Sequence, residues 1–174
     1  MIQAIIRTIG FGEMRFELFP DKAPLTVASF ADMANSGFYD GLEWCRVVRN
    51  YVIQAGSPDN DIMTDSAFHL KGEFSENGVD TGLDHRRGAI SMARDAGYDT
   101  AGTQFFVVHQ DAHKLDGRYA AFGYMISGYD ALDRIAAVDT NGAEHWNHPL
   151  VSPVIESIRV TTSTEILPQV HRLP

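Results

Sequence analysis

Apolar and polar residues alternate with a period of two over Met14 to Leu18, the pattern of a half-buried strand. The stretch from Ile2 to Ile9 is also β-rich, and the link from Ile9 to Glu13 contains the glycines of a hairpin connection. Pro20 and Pro24 end the second strand. A helix follows to about Ala34, with Val27, Phe30, Ala31 and Ala34 on one face, and Asn35-Ser36-Gly37 stops it. Short strands are predicted over 43–48, 51–56, 89–93, 104–109, 121–127 and 154–161, with a turn at Leu115–Arg118. A second helix is predicted from Tyr129 to Val138, with Leu132, Ile135 and Ala136 inward. Residues 57–87 are rich in Gly and Asp with weak periodicity, and read as loops over a surface. Many short strands with two helices predict a mainly β domain over residues 1–162: a closed antiparallel eight-stranded barrel capped by two α-helices. Residues 163–174 read as a C-terminal tail.

Composition narrows the picture. At 174 residues, 44% hydrophobic and 21% charged, the chain can bury a sizeable core and is not a disordered polymer. The net charge of −9 argues against nucleic acid, which needs clustered Lys and Arg. Cys45 is the one cysteine, so no intrachain disulfide can form, which fits a reducing compartment. The first residues lack the pattern of a signal peptide, and no apolar run reaches the ~18 residues of a membrane span, so a cytoplasmic monomer is expected.

The chemistry begins with an anomaly. Arg46 and Gln54 stand in an apolar strand pair, among Trp44, Val47, Val48, Val52 and Ile53. A buried or half-buried cation needs a partner. Either an internal carboxylate supplies it, or the guanidinium faces a pocket where a ligand does. Gln54 alone reads equally as a satisfied core amide, and Phe106, Leu115 and Phe122 alone read as core packing.

The order of motifs decides between these readings. Phe16 to Phe30, Ser36 to Gly41, Arg46-Val47-Val48 with Ile53-Gln54, Ser91-Met92-Ala93, Gly102 to Phe106, Leu115 to Arg118 and Ala121-Phe122-Gly123 follow one another as they do in the cyclophilin family. The resemblance covers about Met14 to Val160. It implies a peptidyl-prolyl cis-trans isomerase that needs no cofactor and no metal, acting on proline-containing peptides and unfolded or nascent chains. It implies Arg46 and Gln54 as the catalytic pair. It places Tyr51, Val52, Phe106, Leu115 and Phe122 around the proline ring, Gln104 and Ala93 on the peptide main chain, and Arg94 and Tyr119 at the rim. A rival of another class is a proline-peptide binding module with little turnover; retention of Arg46 favours the enzyme.

Several positions depart from the family pattern. Tyr51 stands for the usual Phe, Val52 for Met, Cys45 for His, Trp44 for Phe and Tyr119 for His. One extra residue between Ala93 and Gly102 puts Arg94 or Asp95 where many members have Asn. Lys114 stands where eukaryotic members carry a Trp that contributes to cyclosporin binding, so weak cyclosporin affinity is expected.

Other motifs carry less. The Gly10-Phe11-Gly12 loop lacks a third glycine at Arg15 and leads into a strand, which sets aside a dinucleotide site. His109 and His113 have the spacing of a zinc-protease helix, but Gln110 replaces the glutamate and the segment follows a strand. His145 and His148 lack a nearby third ligand. Cys45 reads as a small buried hydrophobe.

Overall fold

In the computed structural model, which describes residues 1–161 and 167–174, eight strands form one sheet. They are β1 (Ile2–Thr8), β2 (Gly12–Leu18), β3 (Trp44–Val48), β4 (Val52–Ala55), β5 (Ala89–Met92), β6 (Phe105–Val108), β7 (Ala121–Ser127) and β8 (Ile155–Thr161). Helices α1 (Pro24–Asn35) and α2 (Tyr129–Ala136) complete the frame. The elements follow the predicted pattern, apart from a residue or two at several ends. α2 stops two residues early, at Ala136 rather than Val138.

The sheet order is β3-β4-β6-β5-β7-β2-β1-β8, with every ladder antiparallel. This corrects the expected closed barrel, because the two edge strands, β3 and β8, share no ladder. The sheet curls into a half-barrel whose edges meet through the isolated Glu43–Val154 bridge and a bond from the Trp44 N–H to the Pro153 carbonyl. Pro153 has no N–H to return that bond, so pairing cannot propagate from it.

The core lies inside the curl. Trp44, Phe16, Phe30, Tyr39, Phe105 and Phe122 are fully buried there, with Phe30 5.1 Å from Phe122 and 5.4 Å from Phe105. Tyr39 and Trp44 bring polar atoms inside and satisfy them: the Tyr39 hydroxyl donates to the Thr103 carbonyl (3.0 Å) and the Trp44 indole to Thr8 Oγ1 (3.0 Å).

The long stretch 57–87 is more than a surface loop, because parts of it plug the fold. Glu73 is buried and caps α1, accepting bonds from the Leu25 N–H (3.1 Å), the Thr26 N–H (2.8 Å) and the Thr26 hydroxyl (2.6 Å). That role is vacant locally, because the helix starts after Ala23, which has no side-chain oxygen. The predicted boundary of domain and tail, at 162/163, lies outside the described residues. Residues 167–174 run beside α1 and reach back to 68–70, with Leu173 bridged to His69.

Candidate active site

The site starts with an extra residue. Trp44 pairs with Ala55 and Arg46 with Gln54, so β3 uses two steps where β4 uses one. Simple alternation would send Trp44 and Arg46 to the same side. The bulge at Cys45 breaks it: Trp44 and Val47 enter the inner core, and Arg46 turns to the outer face. Gln54 pairs with Phe106, and Phe106 with Ser91, so Arg46, Gln54, Phe106 and Ser91 form one row across β3, β4, β6 and β5.

A directed hydrogen-bond chain fixes the row. Arg46 Nη1 donates to Gln54 Oε1 (3.2 Å), and Gln54 Nε2 donates to Gln104 Oε1 (2.9 Å). Gln104 Nε2 then donates to the Ile62 and Thr64 carbonyls (3.2 and 3.3 Å). No carboxylate lies within ion-pair distance of Arg46 among the described residues. A guanidinium has five N–H donors, and Gln54 occupies one. The internal ion pair considered from sequence is therefore not how this cation is accommodated.

Beside Arg46 lies a depression of about 170 Å³, lined by Tyr51, Val52, Gln54, Ala93, Arg94, Phe106, Leu115 and Tyr119. Val52, Phe106 and Leu115 belong to a small outer apolar cluster distinct from the inner core. Ten of the eleven sequence-predicted site residues thus come together, with Gln104 on the neighbouring wall. Phe122 does not. It is buried in the inner core against Phe30, because the alternation of β7 turns it inward.

Cations stack on the rim. Lys114 Nζ sits 4.3 Å from the centre of the Tyr51 ring, and the Arg94 guanidinium 4.7 Å from that of Tyr119. Arg94 also donates to the Arg118 carbonyl (2.9 Å) and the Asp95 carbonyl (2.8 Å), which holds it along the rim. Burial pushes the Tyr51 hydroxyl above its ordinary range. Burial likewise raises the Cys45 thiol to about 12, which keeps it protonated and unreactive.

The sequence reading missed the wall behind Phe106. His85 is fully buried with its ring stacked on Phe106, centroids 5.9 Å apart and planes 21° apart. Its Nδ1 meets Asp116 Oδ1 and its Nε2 meets Ser91 Oγ, both at 2.9 Å. Burial lowers the His85 pKa against the pull of Asp116. Burial alone would raise Asp116, but bonds from His113 and His85 outweigh it and hold the carboxyl low. A histidine in an irregular stretch gave no periodic signal that could have singled it out. The other histidine pair does not converge: His109 meets Asp133 and the Asn50 N–H, and His113 meets Asp116.

A family model described as cyclophilin type peptidyl-prolyl cis-trans isomerase/CLD matches residues 4–160. The chain belongs to this family. Peptidyl-prolyl cis-trans isomerase B of Bacillus subtilis (strain 168) is 42% identical over 118 residues, covering 68% of this chain and 79% of the relative. Peptidyl-prolyl cis-trans isomerase A of Dickeya dadantii (strain 3937) is 33% identical over 162 residues, covering 90% and 83%. Among solved structures, the cyclophilin type isomerase of Cryptosporidium parvum, crystallised in the presence of the dipeptide Ala-Pro, shares the fold with a TM-score of 0.82 at 24% identity. That match covers 92% of this chain and 99% of the other. This cyclophilin is a peptidyl-prolyl cis-trans isomerase by family and by its named relatives.

Proposed function

We propose that the row Arg46–Gln54–Phe106 is where this chain rotates X-Pro bonds in peptides and unfolded proteins. The proline ring sits on Phe106, Val52, Leu115 and Tyr51, while Gln104 and Ala93 meet the peptide main chain and Arg94 and Tyr119 bound the rim. Amide resonance sets a barrier of roughly 18–20 kcal/mol. Twisting the C–N bond breaks that resonance and leaves a lone pair on the proline nitrogen. A fixed donor aimed at that nitrogen binds the twisted state better than either planar state, and needs no nucleophile and no metal.

The observation that carries this reading is Arg46 itself: a cation turned outward by a bulge, anchored by an amide, with donors left over and a depression beside it that Val52, Phe106 and Leu115 help to line. A loss of about 7 kcal/mol of barrier corresponds to roughly a 10⁵-fold acceleration. One charged hydrogen bond supplies part of this, and orientation in the pocket supplies the rest.

NMR exchange spectroscopy on an X-Pro peptide tests it. Exchange accelerated by the wild type and lost in Arg46→Ala supports the assignment. Equal activity in Arg46→Ala refutes it, and binding without exchange would make the protein a peptide-binding module. The same reading takes the chain as a cytoplasmic monomer with weak cyclosporin affinity, since Lys114 covers Tyr51 where a Trp would meet the drug. Tight inhibition by cyclosporin, or a dimer in light scattering, would overturn those two points.

A further inference from the structure

Residues 167–174 lie beyond the 4–160 segment that matches the family model, and they make specific contacts. The Leu173 N–H donates to the His69 carbonyl (2.8 Å), and the His69 N–H donates to the Leu173 carbonyl (2.9 Å). Arg172 Nη2 binds Asp32 Oδ2 on α1 (2.9 Å), and its guanidinium lies 4.2 Å from the centre of the Phe68 ring. Leu167 packs against the inner core. The segment therefore ties 68–69 to α1 at three kinds of contact: paired backbone, an ion pair and a stacked cation.

What it ties down is the far wall of the site. His69 Nε2 meets Asp65 Oδ1 at 2.8 Å, and the Leu70 N–H donates to the Ala101 carbonyl (2.8 Å). Ser66 Oγ accepts from the Thr103 N–H (3.1 Å). A side chain at Gly102 would collide with Ser66 and with the Phe68 carbonyl, so this wall and the segment that leads through Gln104 into β6 are in direct contact. The Ile62 and Thr64 carbonyls hold Gln104, which holds Gln54, which holds Arg46. A second depression, sharing Gln54, Ala93 and Arg94 with the proline pocket, is lined by Thr64, Asp65 and Ser66 from this wall.

We infer that the C-terminal segment 167–174 is a strap that positions the 62–70 wall, and through it the groove that a peptide occupies beyond its proline. Resting on the proposed function, this adds positioning residues to it: Leu173 and Arg172 touch no substrate and act through His69, Ser66 and Gln104. Strap contacts then affect chiefly how tightly an extended peptide is held, because Arg46 and Gln54 keep their direct bond and their places in the β3–β4 ladder whatever the wall does.

Two full-length variants test this. Leu173→Pro removes the N–H that bonds His69, and Arg172→Ala removes the ion pair and the stacked cation together. Hydrogen exchange at 62–70 is read alongside the isomerisation kinetics of an eight-residue proline peptide and a blocked Ala-Pro dipeptide. A lost hydrogen bond of ordinary strength predicts about fivefold faster exchange at 62–70 and about a fivefold higher KM for the long peptide. The dipeptide's kcat/KM stays within about twofold. Arg172→Lys, which keeps the charge for Asp32, recovers part of the loss.

Unchanged exchange at 62–70 overturns the strap. Faster exchange with unchanged KM, or equal loss on both peptides, overturns its role in positioning the groove. If Leu173→Pro does not fold, Arg172→Ala carries the test alone. Hydrogen exchange is read without turnover, so a failure of the proposed catalytic row would show separately, as an inactive wild type with a protected 62–70 wall.

Discussion

Strands β4 and β6 are buried on both faces, yet the two faces do different things. Inward they present Ile53, Ala55, Phe105 and Val107, all fully buried and all apolar. Outward they present Val52, Gln54, Phe106 and Val108, where one amide sits among apolar neighbours and hands its hydrogen bonds along a row. Degree of burial does not separate packing from chemistry here. The destination of each polar group does: inside, bonds close within the protein, as for Tyr39 and Trp44. Outside, the row begins with a cation that still has donors to give.

The contrast can be broken from either side. Phe105→Ala hollows the inner face and is expected to cost about 3–5 kcal/mol of stability by denaturant unfolding. The protein that remains folded should turn over normally; a specific loss of kcat would show that the faces are not separable. Arg46→Ala should do the reverse, lowering kcat/KM by about 10²–10³-fold while the unfolding midpoint hardly moves. A large loss of stability would instead mean that Arg46 is structural.

Glu73→Leu sharpens the inner side, since it strips the remote cap from α1 while touching nothing in the outer row. We expect a loss of about 1–3 kcal/mol in unfolding, with kcat unchanged.

The smallest effect concerns pH at the edge of the groove. A bond to Asp65 raises His69, with the Pro174 backbone and the more distant Asp95 acting in the same sense. The bond from His69 lowers Asp65, with the Ser66 N–H adding to it. A raised histidine stabilises the fold fully below its unfolded value, and that contribution is lost as pH rises through the folded value. A lowered carboxylate stabilises above its unfolded value, and that contribution is lost on acidification. The pair is thus strongest in mildly acidic solution. The difference in melting temperature between wild type and His69→Gln should be largest near pH ~6 and shrink toward pH ~8.5. A difference that grows with pH would reverse the assignment.

Most of the frame was legible in the sequence because period-two runs such as Met14–Leu18 and the helical stripe of α1 are local signals. The open seam was not, since it depends on which edges meet and on Pro153 standing at the junction. Arg46, Gln54 and Phe106 were legible through ordered motifs. Their shared row required the ladder register, and Phe122 was misplaced because a motif names a residue without saying which way its strand turns it. His85 and Glu73 were missed for a common reason: each sits in the irregular 57–87 stretch and works on partners such as Ser91, Asp116 and Thr26, which sequence spacing cannot bring together.

The bulge at Cys45 absorbs one residue of β3 without changing the face that Arg46 takes. Exchanging Cys45 for another small residue keeps the count and leaves Arg46 facing out. Removing the position would erase the bulge and leave a regular ladder in which Trp44 still opposes Ala55 and Arg46 still opposes Gln54, so the guanidinium would keep its outward face. What would turn the guanidinium inward is keeping Cys45 while closing the bulge, which would slide the register and put Trp44 and Arg46 on one side. For anyone moving this row onto another sheet, the pairing of Trp44 with Ala55 and of Arg46 with Gln54 has to travel with it, with or without the extra residue.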